Sequence, residues 1–265
     1  MKDAALKLPS SPLRLAVLQV ESTPAYVASN ARRAAGLVAA VSQQGARLAV
    51  LPELHLCAYD LPTLSGSSGI CEVAADESGS VSDMRLEPLT EAAVRTGTVV
   101  LTGAAVRRPN GQLTNSVLAV EPSGLVSAVY DKQNLWHADE SRLFTAGDDG
   151  AAVEVDDWRL GLGVCYDISF PEHARSAALS GAHVYLCLSA FAAGNEHRAS
   201  VYLAARALEN TIYSVLANPV GGPPSRPARG GSAVYAPDGT PVSRAETVDE
   251  QTILADLDPG HLARV

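Results

Sequence analysis

Compact apolar runs that stop abruptly at a polar residue alternate along this chain with segments of helical periodicity, and that alternation constrains the fold more than any other feature. Leu13 to Val20, bounded by Pro12 and by Ser22, Thr23 and Pro24, suits a strand buried on both faces. Asn30 to Gln44 carries Ala, Leu and Val at three- and four-residue spacing, and Gly45 is a helix stop. Arg47 to Leu51 reads as the next strand and ends at Pro52 and Glu53. The Ser- and Gly-rich stretch from Cys57 to Met84 reads as a loop, followed by a short helix at Glu87 to Arg95 and a strand at Thr98 to Val106. Gln112 to Glu121 and Leu125 to Asp131 form a hairpin across Pro122, Ser123 and Gly124, with Lys132 just beyond it.

The second half replays this order. Ala151 to Val155 and Arg159 to Val164 pair across Asp156 and Asp157, and a helix opens at Pro171. His183 to Ser189 is a strand, Glu196 to Asn210 an amphipathic helix and Ile212 to Ala217 a strand. Ser232 to Ala236 with Pro241 to Arg244 make a hairpin, and Thr252 to Asp256 a last strand. No sequence repeat underlies the echo. The pattern predicts an α/β protein, two mixed β-sheets facing each other with helices outside in a four-layer sandwich, built as a single domain over 1–265.

With 47% hydrophobic residues in a 265-residue chain there is material for such a core. Only 18% of residues are charged and the formal net charge is −9, which argues against nucleic acid and anionic membrane as partners. The basic stretch Arg226 to Arg229 lies among Gly and Pro and reads as a loop of solvated charges without a function. The four cysteines, Cys57, Cys71, Cys165 and Cys187, show no CxxC or zinc spacing and fit free thiols of a reducing compartment. Met1 to Pro12 has no apolar run of signal-peptide length and no later segment could span a bilayer, so a cytoplasmic protein is expected.

Three polar residues share one kind of address. Glu53 follows the strand LAVLP, Lys132 the strand SAVYD and Cys165 the strand LGLGV, and in layered α/β proteins side chains converge on ligands beyond such strand ends. Taken singly, each has an ordinary reading as a core thiol, a solvated carboxylate or a surface ammonium. Together they make a reaction set. Cys165 precedes a helix, so amide groups and a helix N-terminus are expected to favour its thiolate. Glu53 sits among Leu51, Pro52, Leu54 and Leu56, where desolvation raises a carboxyl toward general-base range. A buried Lys132 needs anionic company, which Glu53 and Glu140 supply.

These segments resemble the signature blocks of the nitrilase superfamily of carbon–nitrogen hydrolases: LPEL around Glu53, YDK ending at Lys132, ESRLFTAG from Glu140 to Gly147, and GLGVCYDISFPEHAR from Gly161 to Arg175. Asn218 to Gly221 and GSAVYAPDG from Gly231 to Gly239 extend the likeness over nearly all of Leu13 to Asp258. The resemblance implies an αββα sandwich that associates as a homodimer or higher homo-oligomer through outer helices. It further implies Glu53 as general base, Cys165 as nucleophile, Lys132 as oxyanion partner, and Glu140 as the group that positions the lysine and the substrate nitrogen.

An amide carbonyl requires a strong nucleophile, a proton shuttle and a donor for the developing oxyanion. The Tyr166 backbone N–H joins Lys132 as the expected oxyanion donor, and Tyr59, Trp136, Tyr166 and Phe191 are candidate walls of a small pocket. CYD and FPE after the nucleophile favour an amidase for small aliphatic amides, with a nitrilase, an N-carbamoyl amidohydrolase or a silent binding protein on the same fold as alternatives. Family members often carry a histidine two residues after the lysine, where this chain has Asn134. Glu172 and Arg175 are expected to pair across one helical turn. None of the six histidines has a papain-type context and there is no HExxH, so neither metal nor cofactor is implied.

Overall fold

The structure, a computed structural model, describes residues 7–67, 69–246 and 248–264. Residues 1–6 of the N-terminal stretch read above as lacking a signal peptide lie outside the described residues.

The first half contributes β1 (Leu13–Gln19), α1 (Val27–Ser42), β2 (Leu48–Val50), α2 (Leu61–Gly66), β3 (Glu72–Ala74), α3 (Glu87–Thr96), β4 (Val99–Arg107), β5 (Leu113–Val120) and β6 (Val126–Asp131). After α4 (His137–Leu143) come β7 (Ala152–Val155), β8 (Trp158–Val164), α5 (Pro171–Leu179), β9 (Val184–Leu188), α6 (Glu196–Asn210) and β10 (Tyr213–Ala217). The chain closes with β11 (Val220–Gly221), β12 (Ala228–Arg229), β13 (Ala233–Tyr235), β14 (Pro241–Arg244), β15 (Gln251–Leu257) and α7 (Pro259–Leu262).

Two mixed sheets result. One has the order β15-β1-β2-β4-β5-β6, with β3 on the far end of β4, and the other β14-β13-β10-β9-β8-β7. Read outward from β15, the first sheet pairs antiparallel, parallel, parallel, antiparallel, antiparallel. Read outward from β7, the second pairs in the same sequence. The echo in element order is therefore an echo in sheet topology, with β8 taking the place of β1, β9 of β2 and β10 of β4.

Three hydrophobic layers hold the sandwich. Between the sheets lie Leu15, Val17, Val50 and Leu101 from one and Leu162, Leu186, Leu188 and Val215 from the other, all buried. Outside the first sheet, Ala31, Ala34 and Val38 of α1 and Leu89 and Ala93 of α3 pack on Ala16, Leu18 and Ala49. Outside the second, Ala174 of α5 and Ala199, Leu203 and Ala207 of α6 pack on Tyr185, Cys187 and Leu216. Alternate residues of each strand thus face different apolar layers, which explains the unbroken apolar runs. The result is the expected four-layer α/β sandwich of two mixed sheets.

Local differences have identifiable causes. Helix α1 begins at Val27, because Asn30 is a buried bracket inside its first turn: its side chain bonds Thr23 N and O at 3.0 and 2.8 Å and Leu56 O at 3.0 Å. The stretch expected to be loop from Cys57 to Met84 contains α2, whose N-terminal Asp60 accepts from Thr63 N, and the short edge strand β3. Helix α4, not foreseen, raises Glu140 out of the post-lysine segment. Arg175 donates to the Glu209 carbonyl at 2.6 Å, in place of the expected pair with Glu172.

Candidate active site

The turn after β2 carries Glu53. Leu54 and Ala58 adopt φ values of 50° and 65°, so the chain reverses sharply there. The Glu53 N–H donates to Ser189 O at 3.2 Å, which brings the C-terminal ends of β2 and β9 together across the two sheets. Gly103 of β4 makes room for that turn: a Cβ there would lie 2.2 Å from Leu54 N and 2.6 Å from the Glu53 carbonyl carbon. Both obstacles are backbone, so Gly103→Ala is expected to cost ~1–3 kcal/mol of stability. The displaced carboxylate should lower kcat by on the order of 10²-fold. Thermal melts and steady-state kinetics check this, and a Gly103→Ala enzyme with unchanged kcat would show that the turn does not position Glu53.

Lys132 emerges from β6 with its ammonium fully buried between two carboxylates, at 2.8 Å from Glu53 Oε1 and 2.8 Å from Glu140 Oε1. Burial alone would lower its pKa, but the carboxylates of Glu53 and Glu140 outweigh burial and hold it above the usual lysine range. Asn115 of β5 serves both partners, donating Nδ2 to Glu53 Oε1 at 2.7 Å while its carbonyl accepts the Lys132 N–H at 2.8 Å. Glu140 is further fixed by the Tyr59 hydroxyl and by the Trp136 N–H at 2.6 Å. Gly147 closes this loop by donating to Lys132 O at 2.9 Å, where a Cβ would meet Asp131 O at 2.5 Å.

Every donor found by Glu53 goes to Oε1. Its Oε2 is buried and makes no hydrogen bond among the described residues. Burial raises this carboxyl above the ordinary carboxylate range, Lys132 pulls it back and Glu140 pushes it up again.

Cys165 follows β8 directly and has φ 46°, a left-handed conformation that side-chain-bearing residues rarely take. Burial pushes its thiol well above its ordinary range, the Glu53 carboxylate pushes the same way, and Lys132 and the Ala190 N–H act in the opposite sense. This corrects the expectation of a thiolate held by a helix N-terminus. A 3-10 turn over Cys165–Ser169 separates the thiol from α5, which begins only at Pro171. A buried neutral thiol beside a buried carboxylate results.

Asp167 ties the cysteine turn to the lysine loop. Its Oδ2 accepts Val164 N at 2.9 Å and the Tyr130 hydroxyl at 2.7 Å, and its Oδ1 accepts Asn134 N and Nδ2 at 2.8 and 2.9 Å. Asn134, the departure from the family's histidine, is therefore a brace between the two loops that carry Lys132 and Cys165.

Of the aromatic candidates, Tyr59 and Trp136 line a cavity of about 460 Å³ with Pro62, Asp139, Pro223 and Arg226. A second, narrow space of about 30 Å³ shares Tyr59, Pro223 and Arg226 with that cavity and is lined in addition by Glu53 and Ala190. Tyr166 stacks edge-on against Phe170, and Phe191 packs into the core layers while its N–H donates to Asn218 Oδ1 at 2.7 Å. Among the described residues no group of three His, Cys, Asp or Glu side chains is placed to hold a metal ion.

Sequence reasoning missed Asn115, Asp167, Gly103 and Arg226. A glycine inside an otherwise apolar strand was a usable signal for Gly103, and an amide in the apolar run LTNSVLAV for Asn115. Arg226 had none, because its position depends on how a Pro-rich loop folds back.

The profile of the carbon–nitrogen hydrolase family matches residues 14–265. A hydrolase encoded in the pqqF 5' region of Pseudomonas protegens is 35% identical over 93% of this chain and 83% of its own length. A nitrilase of Pyrococcus abyssi is 31% identical over 86% and 83%, and an omega-amidase of Xenopus tropicalis 28% identical over 95% and 91%. Among solved structures, an amidase from Nesterenkonia sp. AN1 with a cysteine-to-alanine substitution, in complex with butyramide, superimposes with a TM-score of 0.82 at 27% identity, covering 97% of this chain and 95% of that one. A glutamate-to-glutamine mutant of that amidase, with its cysteine present, shows covalent addition of the acetamide moiety of fluoroacetamide at the active-site cysteine. With the family profile spanning the chain and nitrilase-superfamily amidases as its structural neighbours, this protein belongs to the carbon–nitrogen hydrolase family and is an enzyme of its amidase-like branch.

Proposed function

We propose that the enzyme hydrolyses small, mainly aliphatic primary amides to carboxylic acid and ammonia through a thioester on Cys165. The observation that carries this reading is the buried Lys132 ammonium held 2.8 Å from each of two carboxylates beside a buried thiol. Glu53 takes the thiol proton at Oε2, the oxygen without a partner, as sulfur adds to the amide carbonyl. Lys132 and the Tyr166 N–H receive the developing oxyanion. Glu53 then returns the proton to the departing nitrogen, and ammonia leaves as the thioester forms. Water, deprotonated by Glu53, attacks the thioester to release the acid and regenerate the thiol. Glu140 holds the lysine in place and has no direct part in the bond changes.

A matched panel tests the substrate class: a C3 to C5 primary amide, the corresponding nitrile and the N-carbamoyl analogue. The amide is expected to lead in kcat/KM by about tenfold or more, a margin near ~1.4 kcal/mol of transition-state discrimination. Mass spectrometry should then find the acyl group on Cys165. Preference for the nitrile or the N-carbamoyl compound by that margin overturns the amidase reading.

We infer a single catalytic domain, because Glu53 and Lys132 come from the first half of the chain and Cys165 and Ala190 from the second. Its four cysteines are free, and no helix among the described residues is long and apolar enough to cross a membrane; a cytoplasmic enzyme fits both facts. Leu179 of α5 and Val201 and Leu208 of α6 are exposed on the outer layer, and we assign that face to a homodimer, testable by sedimentation of a Leu179→Lys variant.

A further inference from the structure

We propose that His173 is a positioning residue for the reaction: through the Tyr130 hydroxyl it holds the Asp167 carboxylate, and with it the two loops that carry Cys165 and Lys132. The role rests on the thioester chemistry proposed above, with Cys165 as nucleophile. His173 stands in the first turn of α5 and makes no hydrogen bond to Glu53, Lys132 or Cys165. Its side chain is 6% exposed and meets two hydroxyls, with Nε2 at 2.8 Å from that of Tyr130 and Nδ1 at 2.9 Å from that of Tyr185. Gly163 of β8, two residues before the nucleophile, leaves room for the second contact: a Cβ there would lie 2.4 Å from the Tyr185 hydroxyl oxygen. Three elements therefore meet at the ring, β6 through Tyr130, β9 through Tyr185, and α5 itself.

The available protons fix the direction of these bonds. Asp167 is fully buried and accepts from Val164 N, the Tyr130 hydroxyl, Asn134 N and Asn134 Nδ2, as an ionised carboxylate does. Tyr130 has one hydroxyl proton and gives it to Asp167, so its oxygen can only accept from His173, and the ring must carry hydrogen on Nε2. At Nδ1 a neutral ring accepts the Tyr185 proton, whereas a charged ring would leave that proton without an acceptor among the described residues. Burial also lowers the His173 pKa, against the pull of Asp167. The result is a run of donors, Tyr185 to His173 to Tyr130, that ends on Asp167, each bond polarising the next. Its end point matters because Asp167 closes the turn around Cys165 by accepting Val164 N, while Tyr130 and Asn134 stand two residues before and two after Lys132. The φ of 46° at Cys165 persists only where the surroundings over-determine it, and this carboxylate with its donors supplies that constraint.

The test separates a residue that acts through Tyr130 from one that only fills space. His173→Leu is expected to lower kcat on butyramide by about tenfold or more with KM changed by less than about twofold, and to slow iodoacetamide labelling of Cys165 in the free enzyme by a similar factor. His173→Gln, which can still offer an N–H to Tyr130, should recover part of both losses. Tyr130→Phe keeps His173 but cuts it off from Asp167 and should lose as much, and adding His173→Leu to it should cost less than about twofold more. In the wild-type enzyme at neutral pH the ring-nitrogen chemical shifts should report a neutral imidazole protonated at Nε2. A ring protonated at Nδ1 or at both nitrogens overturns the assignment without any variant. So do a Tyr130→Phe enzyme with unchanged kcat and labelling, and losses from the two substitutions that multiply in the double variant. If His173→Leu lowers only Tm while the folded enzyme keeps its kcat and labelling rate, the positioning role is lost. A wild-type enzyme that releases no ammonia from butyramide removes the amidase reading alone, and the labelling rates then decide for or against His173.

Discussion

Cys165→Ala is expected to lose on the order of 10⁵–10⁶ in kcat on a primary amide while remaining folded, as removal of a nucleophile does elsewhere. The sulfur sits in the layer between the sheets, so its loss should cost no more than ~1 kcal/mol of stability. A companion experiment separates catalytic reactivity from mere exposure. All four cysteines are buried, and burial pushes Cys57 and Cys187 up to about 12, so none is a ready thiolate at neutral pH. Under the proposed mechanism Cys165 is distinguished by Glu53, whose Oε2 has no hydrogen-bond partner among the described residues and takes the thiol proton. Iodoacetamide should therefore label Cys165 first, and Glu53→Gln should slow that labelling by about tenfold or more by removing the base. Equal labelling of the four thiols, or a Cys165→Ala enzyme with measurable turnover, refutes the assignment of Cys165 as nucleophile.

The layers were legible because they rest on local patterns. Uninterrupted apolar runs report strands covered on both faces, and α6 was readable to its end residues because an amphipathic stripe over 15 residues gives a strong signal. Short elements were not. β3 has three residues and α2 six, and neither length establishes a period. Helix α4 was hidden because His137 takes φ 62° at its start and Trp136 caps it without a side-chain bond, so no ordinary start signal is present.

The site divides along the same line. Glu53, Lys132 and Cys165 could be singled out because each ends an apolar run, a property of neighbours in sequence. Asn115, Asp167 and Arg226 act through partners 62, 33 and 36 residues away, on Glu53, Asn134 and Ala190, and no local pattern encodes those distances. The protonation state of the thiol was misjudged for a related reason: a helix N-terminus is visible in the sequence, but the depth at which the sulfur lies is not. Desolvation is a property of the assembled layers, and here it outweighs the neighbouring cation.

Glu53 and Lys132 should separate in a stability measurement even though both are expected to cripple the reaction. Glu53→Gln leaves the Lys132–Glu140 pair intact and an oxygen for Asn115 to donate to, so kcat is expected to fall by on the order of 10³–10⁴ with little loss of Tm. Lys132→Met leaves Glu53 and Glu140 buried without their shared cation, and should cost ~3–5 kcal/mol in addition to a comparable loss of rate. The pH dependence follows from the raised Glu53 carboxyl. The unfolded chain releases this proton at ordinary carboxylate pH and the folded chain only above it, so between the two values the folded state binds more protons. Stability from this group is therefore complete below the unfolded pKa and declines as pH rises through the folded one, a decline that Glu53→Gln should abolish. Activity runs the other way, because the base must be ionised: kcat/KM should rise along an acid limb lying above the ordinary carboxylate range. In Lys132→Met, whatever rate survives should show that limb at still higher pH, since the ammonium is what draws the proton off Glu53. An acid limb that stays in place when the ammonium is gone would mean that Lys132 does not govern the ionisation of the base.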